Sequence, residues 1–485
     1  MSSPDADPPT LYAAREPIFP RAVHGRFRRL KWMVMALTLA IYYITPWLRW
    51  DRGPGMPDQA VLVDLAHRRF FFFWIEIWPH EFYFVAGLLV MAGLGLFLFT
   101  SALGRVWCGY ACPQTVWTDL FVHVERWIEG DRNAQIRLWR SKWDGHKIRL
   151  RLTKWSIWLL IALFTGGAWV FYFTDAPTLL ANLLRGQAHP VAYFTIVVLT
   201  ATTFVFGGFM REQICIYACP WPRIQGAMMD EDTLTVAYRE WRGEPRGKIR
   251  KGEATKSDSP PGQKGDCIDC FACVNVCPMG IDIRDGQQLE CITCALCIDA
   301  CDEIMDRIGK PRGLIDYMAL KDETAERIGN EGKSLIRHVL RPRTLLYFGL
   351  WSLIGVGLVV ALFMRSPFDL NVTPVRNPLY VTLSDGAIRN TYELRLRNKQ
   401  HEVTSFTVGA TARDGTPLSD TVLRLEGAKA ATVDVPADQT AALRVYLTAA
   451  PGSALGGVAS TDIELVVSDA GGQQSTVATV FHGKD

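Results

Sequence analysis

The chain has 485 residues, room for about three folding units, with 49% hydrophobic residues and a formal charge of only +3. That near-balance excludes a general nucleic-acid footprint. The apolar residues, including sixteen Trp and twenty-four Phe, are clustered, which points to a polytopic membrane protein carrying a soluble insert.

Residues 1–31 carry Arg15, Arg21, Arg26, Arg28, Arg29 and Lys31. The apolar run behind them is too long for a signal-peptide core. Its end, ITPWLRW, lacks a small-residue cleavage site, so the segment reads as a cytoplasmic basic tail before a retained anchor. Five runs are expected to span a bilayer: Trp32–Leu48, Phe82–Leu103, Trp155–Thr174, Val191–Met210 and Thr344–Met364. The first four form a core over residues 32–220. Residues 104–154 hold ten Lys or Arg, residues 175–190 only Arg185, and residues 49–81 four against five acids. The positive-inside rule then places the N-terminus and residues 211–343 in the cytoplasm and residues 365–485 outside. All twelve cysteines fall on the cytoplasmic side or its membrane edge, where thiols stay reduced.

The stretch FFFFWIEIWPHE over residues 70–81 reads as an aromatic belt at the outer interface. Glu76, His80 and Glu81 are weaker candidates for a quinol or metal site there, as is His189 before Pro190. No C-x-x-C-H occurs, which excludes c-type haem attachment by motif.

The core contains a repeat. CGYACP begins at Cys108 and CIYACP at Cys215, 107 residues apart, each after an outward-then-inward helix pair. Two halves related by an approximate two-fold axis along the membrane normal would bring Cys108, Cys112, Cys215 and Cys219 together. Thiols at i and i+4 share one helical face, and thiolates select copper(I), zinc or iron–sulfur. A redox dithiol and four inert buried cysteines are the competing readings.

Residues 221–266 turn basic and rich in Gly, Pro and Ser, and read as an exposed, partly ordered linker. The dominant motif lies in the next segment, residues 267–343. Cys267, Cys270, Cys273 and Cys277 follow C-x2-C-x2-C-x3-C with Pro278 behind; thirteen residues later Cys291, Cys294, Cys297 and Cys301 repeat that spacing without the proline. In two-cluster ferredoxins the fourth Cys of each run serves the other cluster. This assigns Cys267, Cys270, Cys273 and Cys301 to one [4Fe-4S] cluster, and Cys291, Cys294, Cys297 and Cys277 to a second. Zinc is the alternative for paired C-x-x-C, but eight cysteines in this doubled pattern favour iron–sulfur and hence one-electron transfer.

After a fifth helix over residues 344–364, residues 365–485 change character. Eight runs alternate apolar with polar residues, among them NTYELRLRN and IELVVSDA, separated by turns such as Asp385-Gly386, Asp414-Gly415 and Gly471-Gly472. They predict an antiparallel, Ig-like β-sandwich. The segment has no Cys and no Trp, so it is expected to dock a partner rather than carry electrons. The fold class is therefore mixed: a five-helix membrane core, an inserted α+β dicluster ferredoxin and a terminal sandwich.

This combination resembles the cytochrome c oxidase accessory protein family, also called CcoG, FixG or RdxA, over nearly the whole chain. The phrases WCGYACPQTVWTD, CIYACPWPRIQGAM, REWRGEPRG, CDEIMDRIGKPRGLI and RSPFDLNVTPVRNPLY are similar to that family's recurring ones. Cys301 is followed by Asp302 where simple ferredoxins have Pro. The resemblance implies a bacterial inner-membrane protein with a periplasmic sandwich. It further implies help in assembling cbb3-type cytochrome c oxidase by reducing copper(II) to copper(I), a cupric reductase activity with oxidase subunits or copper chaperones as partners. Two rivals are a quinol-oxidising membrane ferredoxin resembling NapH and NosR, and an assembly scaffold with structural clusters. No Gly-rich dinucleotide fingerprint stands out, so the donor is expected to be another protein or quinol.

Overall fold

The computed structural model describes residues 17–53, 56–248, 264–330, 334–400, 402–427 and 430–484. The start of the basic tail, most of the basic stretch before the ferredoxin and the side chain of His80 lie outside the described residues. The chain divides into two compact units, one running to Leu358 without Arg52–Met56, the other holding Arg52–Met56 and everything from Val359.

In the first unit, three helices among the described residues are long and apolar enough to cross a membrane: Tyr83–Leu103, Pro190–Met210 and Pro342–Phe363. The remaining two expected spans are the apolar ends of longer helices, Arg26–Ile44 and Gly145–Val170. The first opens with Arg26, Arg28, Arg29 and Lys31, and the second carries Lys147, Arg149, Arg151 and Lys154. Each thus has fewer than the roughly 20 apolar residues that cross a bilayer at 1.5 Å each. Small residues bring helices close, as in membrane packing generally. A Cβ on Gly87 would lie 2.6 Å from Leu358, and one on Gly166 would lie 2.9 Å from the Ile196 carbonyl.

Many of the basic residues counted for orientation are not free surface charges. Lys154 is 1% exposed and pairs with Glu125 at 2.9 Å and Glu129 at 2.8 Å; Arg211 reaches Glu125 at 2.7 Å. Arg28 pairs with Asp119 at 2.8 Å, both buried. A buried charge is tolerated when paired in this way.

Two stretches read as irregular are ordered. Residues Val61–Asp64, Arg69–Phe72 and Ile75–Ile77 form a three-stranded antiparallel sheet instead of a plain aromatic belt. Glu76 there pairs with Arg69 at 3.3 Å, and Glu81 accepts from the Trp78 amide at 3.2 Å. His189 caps the Pro190–Thr203 helix, its Nδ1 accepting from Val191 N at 3.3 Å. The start of the expected linker is likewise structured. Trp221–Met228 is a helix, and Leu234–Tyr238 is a wholly buried strand paired with Ile315–Ala319.

The ferredoxin part packs the helices Ala272–Val276 and Leu296–Arg307 beside that two-stranded sheet. It also holds the first long helix. The Asp299 carboxylate accepts from the amides of Phe27 at 3.3 Å and Arg28 at 2.7 Å, capping Arg26–Ile44 from 271 residues away. Gly25 makes room, since a Cβ there would meet Asp299 Cγ at 2.2 Å.

In the second unit, nine strands among the described residues form two antiparallel sheets. One orders Thr421–Leu425, Thr440–Ala449, Ile388–Asn398 and Phe368–Pro374, with Val381–Thr382 also on Ile388–Asn398. The other orders Thr432–Val435, Thr404–Ala412, Ser460–Asp469 and Gln474–His482. Alternate residues such as Tyr392, Leu394, Leu396, Leu465 and Val467 are fully buried between them. The strand unforeseen from sequence, Phe368–Pro374, lies between Pro367 and Pro374 at a sheet edge, where proline is tolerated.

Replacing Asp299 with Ala should leave two amides at a helix N-terminus without their acceptor, at a cost of about 1–2 kcal/mol. Thermal unfolding of the intact protein should show an earlier transition for the first unit and an unchanged one for the sandwich.

Candidate iron–sulfur and thiol centre

The eight ferredoxin cysteines face two cavities. Cys267, Cys270, Cys273 and Cys301 line one, together with Phe271, Met305 and Ile315. Cys277, Cys291, Cys294 and Cys297 line the other, with Cys273 also on its wall. Each cavity thus takes three thiols from one run and its fourth from the other.

The chain reaches this arrangement through backbone that side chains rarely adopt. Asp269 and Phe271 in the first run, and Thr293 and Ala295 in the second, all have φ between 54° and 60°. The four positions are equivalent in the two runs: two residues after the first Cys, and one after the second. Alternating left- and right-handed residues curl a loop into a concave nest whose amides suit an anionic group, and such strain clusters at functional sites. Arg284 locks the first loop, reaching Asp269 at 2.7 Å and Asp282 at 2.6 Å with its guanidinium 4.4 Å from the Phe271 ring.

Burial disfavours the thiolate at each wall, pushing Cys273, Cys277 and Cys301 up to about 12. Among the described residues no three His, Cys, Asp or Glu side chains converge as they would around a single ion. Four thiols around one cavity, drawn from two runs, match the ligand pattern of a two-cluster ferredoxin. The donor set therefore fits a cubane with four corners to hold.

The two C-x-Y-A-C-P motifs lie against the second cavity but are built differently. The first is a short α-helix, Val106–Tyr110, and Cys112 caps the 17-residue helix Pro113–Glu129, with Pro113 at its first position. The second is a π-helix, Ile214–Ala218, after another π segment, Phe204–Met210. Wide turns of this kind recur at functional sites. A strict two-fold repeat is therefore broken at the local level.

Cys108, Cys112, Cys215 and Cys219 are all half-buried and free. The Cys108 thiol donates to Gln225 Oε1 at 3.1 Å. Burial pushes Cys108 up to about 11 and Cys215 to about 12, and the neighbouring thiols of the set add to the rise in each. The four cysteines thus lie within electrostatic reach of one another without closing on one point.

The first motif touches the ferredoxin backbone directly. A Cβ on Gly109 would sit 2.6 Å from the Ile292 carbonyl oxygen and 3.0 Å from Cys294 Cα, so only glycine fits. Next to it, the Tyr110 hydroxyl donates to the Cys294 carbonyl at 3.1 Å. Cys108 and Cys215 pack against the same buried apolar cluster as Cys277, Cys294 and Cys297. The spacing that revealed each motif gave no sign of this contact; the glycine inside C-G-Y-A-C was the one available signal.

Comparison with known proteins agrees with this architecture. A family model for a 4Fe-4S dicluster domain matches residues 210–320, a model for a 4Fe-4S binding domain matches residues 84–132, and a model for the Ig-like fold at the C-terminal of FixG matches residues 358–484. Protein RdxB of Cereibacter sphaeroides is 68% identical over 485 residues, covering 100% of both chains. Protein RdxA of the same organism is 63% identical, covering 98% of each. Nitrogen fixation protein FixG of Rhizobium meliloti is 53% identical, covering 90% of this chain and 87% of its own. The chain belongs to the FixG/RdxA family of membrane ferredoxins, iron–sulfur proteins of redox electron transfer.

Proposed function

We propose that Cys267, Cys270, Cys273 and Cys301 hold one [4Fe-4S] cluster, that Cys291, Cys294, Cys297 and Cys277 hold the second, and that electrons pass from the second to Cys108, Cys112, Cys215 and Cys219. There copper(II) is reduced to copper(I) for the assembly of a cbb3-type cytochrome c oxidase. The observation that supports this reading is the contact of Gly109 and Tyr110, inside the first motif, with Ile292 and Cys294, together with the packing of Cys108 and Cys215 on the apolar cluster of Cys277, Cys294 and Cys297. Copper and the oxidase come from the family resemblance.

Bound clusters supply one electron at a time, and copper(II) takes one to become copper(I) with no proton or leaving group involved. The residues of this chain do the rest. Most of the cavity thiols are buried or half-buried, Cys270 being the exposed one, and the membrane-edge thiols must lose their protons to take a metal, so binding strengthens as pH rises. Thiolates prefer copper(I) to copper(II), which favours reduction at the site.

In this reading Arg26–Ile44 and Gly145–Val170 complete a five-span core in the bacterial inner membrane, with the N-terminus and clusters in the cytoplasm. The domains divide as a tail to 31, a core to 220, a connection to 266, the ferredoxin to 343, a fifth span to 364 and a periplasmic sandwich to 485. The sandwich docks an oxidase subunit or copper chaperone. The buried strand Leu234–Tyr238 moves the working boundary of the ferredoxin into that connection.

A second reading has its own support. The 4Fe-4S binding model over residues 84–132 spans only Cys108 and Cys112. Two thiols cannot hold a cubane alone, but the two motifs together supply four, enough for a third cluster.

Cys277→Ser should abolish one EPR signal of the reduced protein, that of the cluster whose other ligands are Cys291, Cys294 and Cys297, and spare that of the cluster held by Cys267, Cys270, Cys273 and Cys301. Loss of the signal belonging to Cys267, Cys270 and Cys273 would overturn the crossed assignment.

Replacing Cys215 and Cys219 with Ser should lower copper(II) reduction at least tenfold at unchanged iron content. A fall of about four irons per chain in that variant would favour the third cluster, and a wild-type rate at unchanged iron content would sink both readings.

A further inference from the structure

Arg105 joins the two thiol sites, yet no motif contains it. It follows Gly104, whose φ of 62° ends the Tyr83–Leu103 helix, and it precedes the first C-x-Y-A-C-P motif. Its side chain is buried, with 4% of the residue exposed. One terminal nitrogen donates to the Leu289 carbonyl, two residues before Cys291, while Nε is buried with no hydrogen-bond partner. Among the described residues no carboxylate pairs with it.

A guanidinium stays charged in proteins, and a buried charge without a counter-charge is costly. Other buried or half-buried cations near the membrane edge satisfy this demand with acids: Arg28 with Asp119, Lys154 with Glu125 and Glu129, Arg211 with Glu125. Arg105 has sulfur instead. It lines a cavity with Cys291, Leu289 and Thr293. It is also the residue from which the Val106–Tyr110 helix, carrying Cys108, starts.

We infer that Arg105 is a positioning residue whose counter-charge is the sulfur of the two sites, and that it raises the reduction potential of the cluster held by Cys277, Cys291, Cys294 and Cys297. A fixed positive charge beside a cluster favours the reduced form, which carries one more negative charge. The cluster walled by Cys267, Cys270, Cys273 and Cys301 has Arg284 instead, already neutralised by Asp269 and Asp282. One buried arginine therefore distinguishes two otherwise similar sites, and it makes the one beside the membrane-edge thiols the better electron acceptor.

The inference rests on the ligand sets proposed above, and its test separates the two. Intact, anaerobically purified wild type, Arg105→Gln and Arg105→Lys are titrated potentiometrically with EPR detection. In Arg105→Gln one cluster should become harder to reduce by about tenfold in its equilibrium constant, 59 mV for one electron. The other cluster should hold its midpoint, and Arg105→Lys should stay near wild type because it keeps the charge. Unchanged midpoints in an Arg105→Gln protein with full iron would overturn the inference. If Arg105→Gln fails to retain iron, Arg105→Lys decides: a wild-type midpoint supports the charge effect and a lowered one overturns it. A wild type that holds zinc and no iron would sink the ligand sets themselves, and the inference with them.

Discussion

Four thiols can face one cavity only if the chain between them turns more tightly than side chains normally allow. Asp269, Phe271, Thr293 and Ala295 take that strain, each with positive φ and none of them glycine. Such residues cost of order 1–3 kcal/mol each unless the surroundings fix them. Here the surroundings are the helices Ala272–Val276 and Leu296–Arg307, which start directly from the strained residues Phe271 and Ala295. The helices set the pitch of the last two thiols of each run, and the nests set the first two. Cys277 and Cys301 are the last thiols of their runs, Cys277 just past Ala272–Val276 and Cys301 inside Leu296–Arg307, and each lines the cavity of the other run.

The same geometry ties the ferredoxin to the membrane core. Gly109 lies against Ile292 and Cys294, and Tyr110 is hydrogen-bonded to Cys294. The Asp299 side chain, between Cys297 and Cys301, caps the first long helix. Residues within the second cysteine run thus support both the wall of a cavity and the entry of the chain into the membrane core. Arg105 adds an electrostatic tie to these mechanical ones. A disturbance of the long helices therefore has a short path to the thiols.

Periodicity and spacing exposed what depends on local order. The cysteine runs declare their cavities because ligand spacing is set by the few bonds between neighbouring residues. The sandwich strands declare themselves because alternate residues such as Tyr392, Leu394 and Leu396 must be buried. The partners of Leu234–Tyr238 were not legible: its pairing strand lies about eighty residues on, and the intervening basic stretch masks its apolar character. The Arg69–Phe72 strand was hidden by an aromatic excess that fits an interface equally well. The charges counted for orientation gave no hint that Lys154 or Arg28 are buried, since composition cannot distinguish a solvated lysine from a paired one. Arg105 was invisible for the same reason.

The central claim is that two cubane clusters occupy the two four-thiol cavities. Its most direct test is iron and acid-labile sulfide analysis of the anaerobically purified whole chain, with EPR after reduction. The account predicts at least about eight irons and eight sulfides per chain, with the spectrum of two magnetically interacting reduced clusters. Zinc at four-thiol stoichiometry, with no labile sulfide and no EPR signal on reduction, would contradict it.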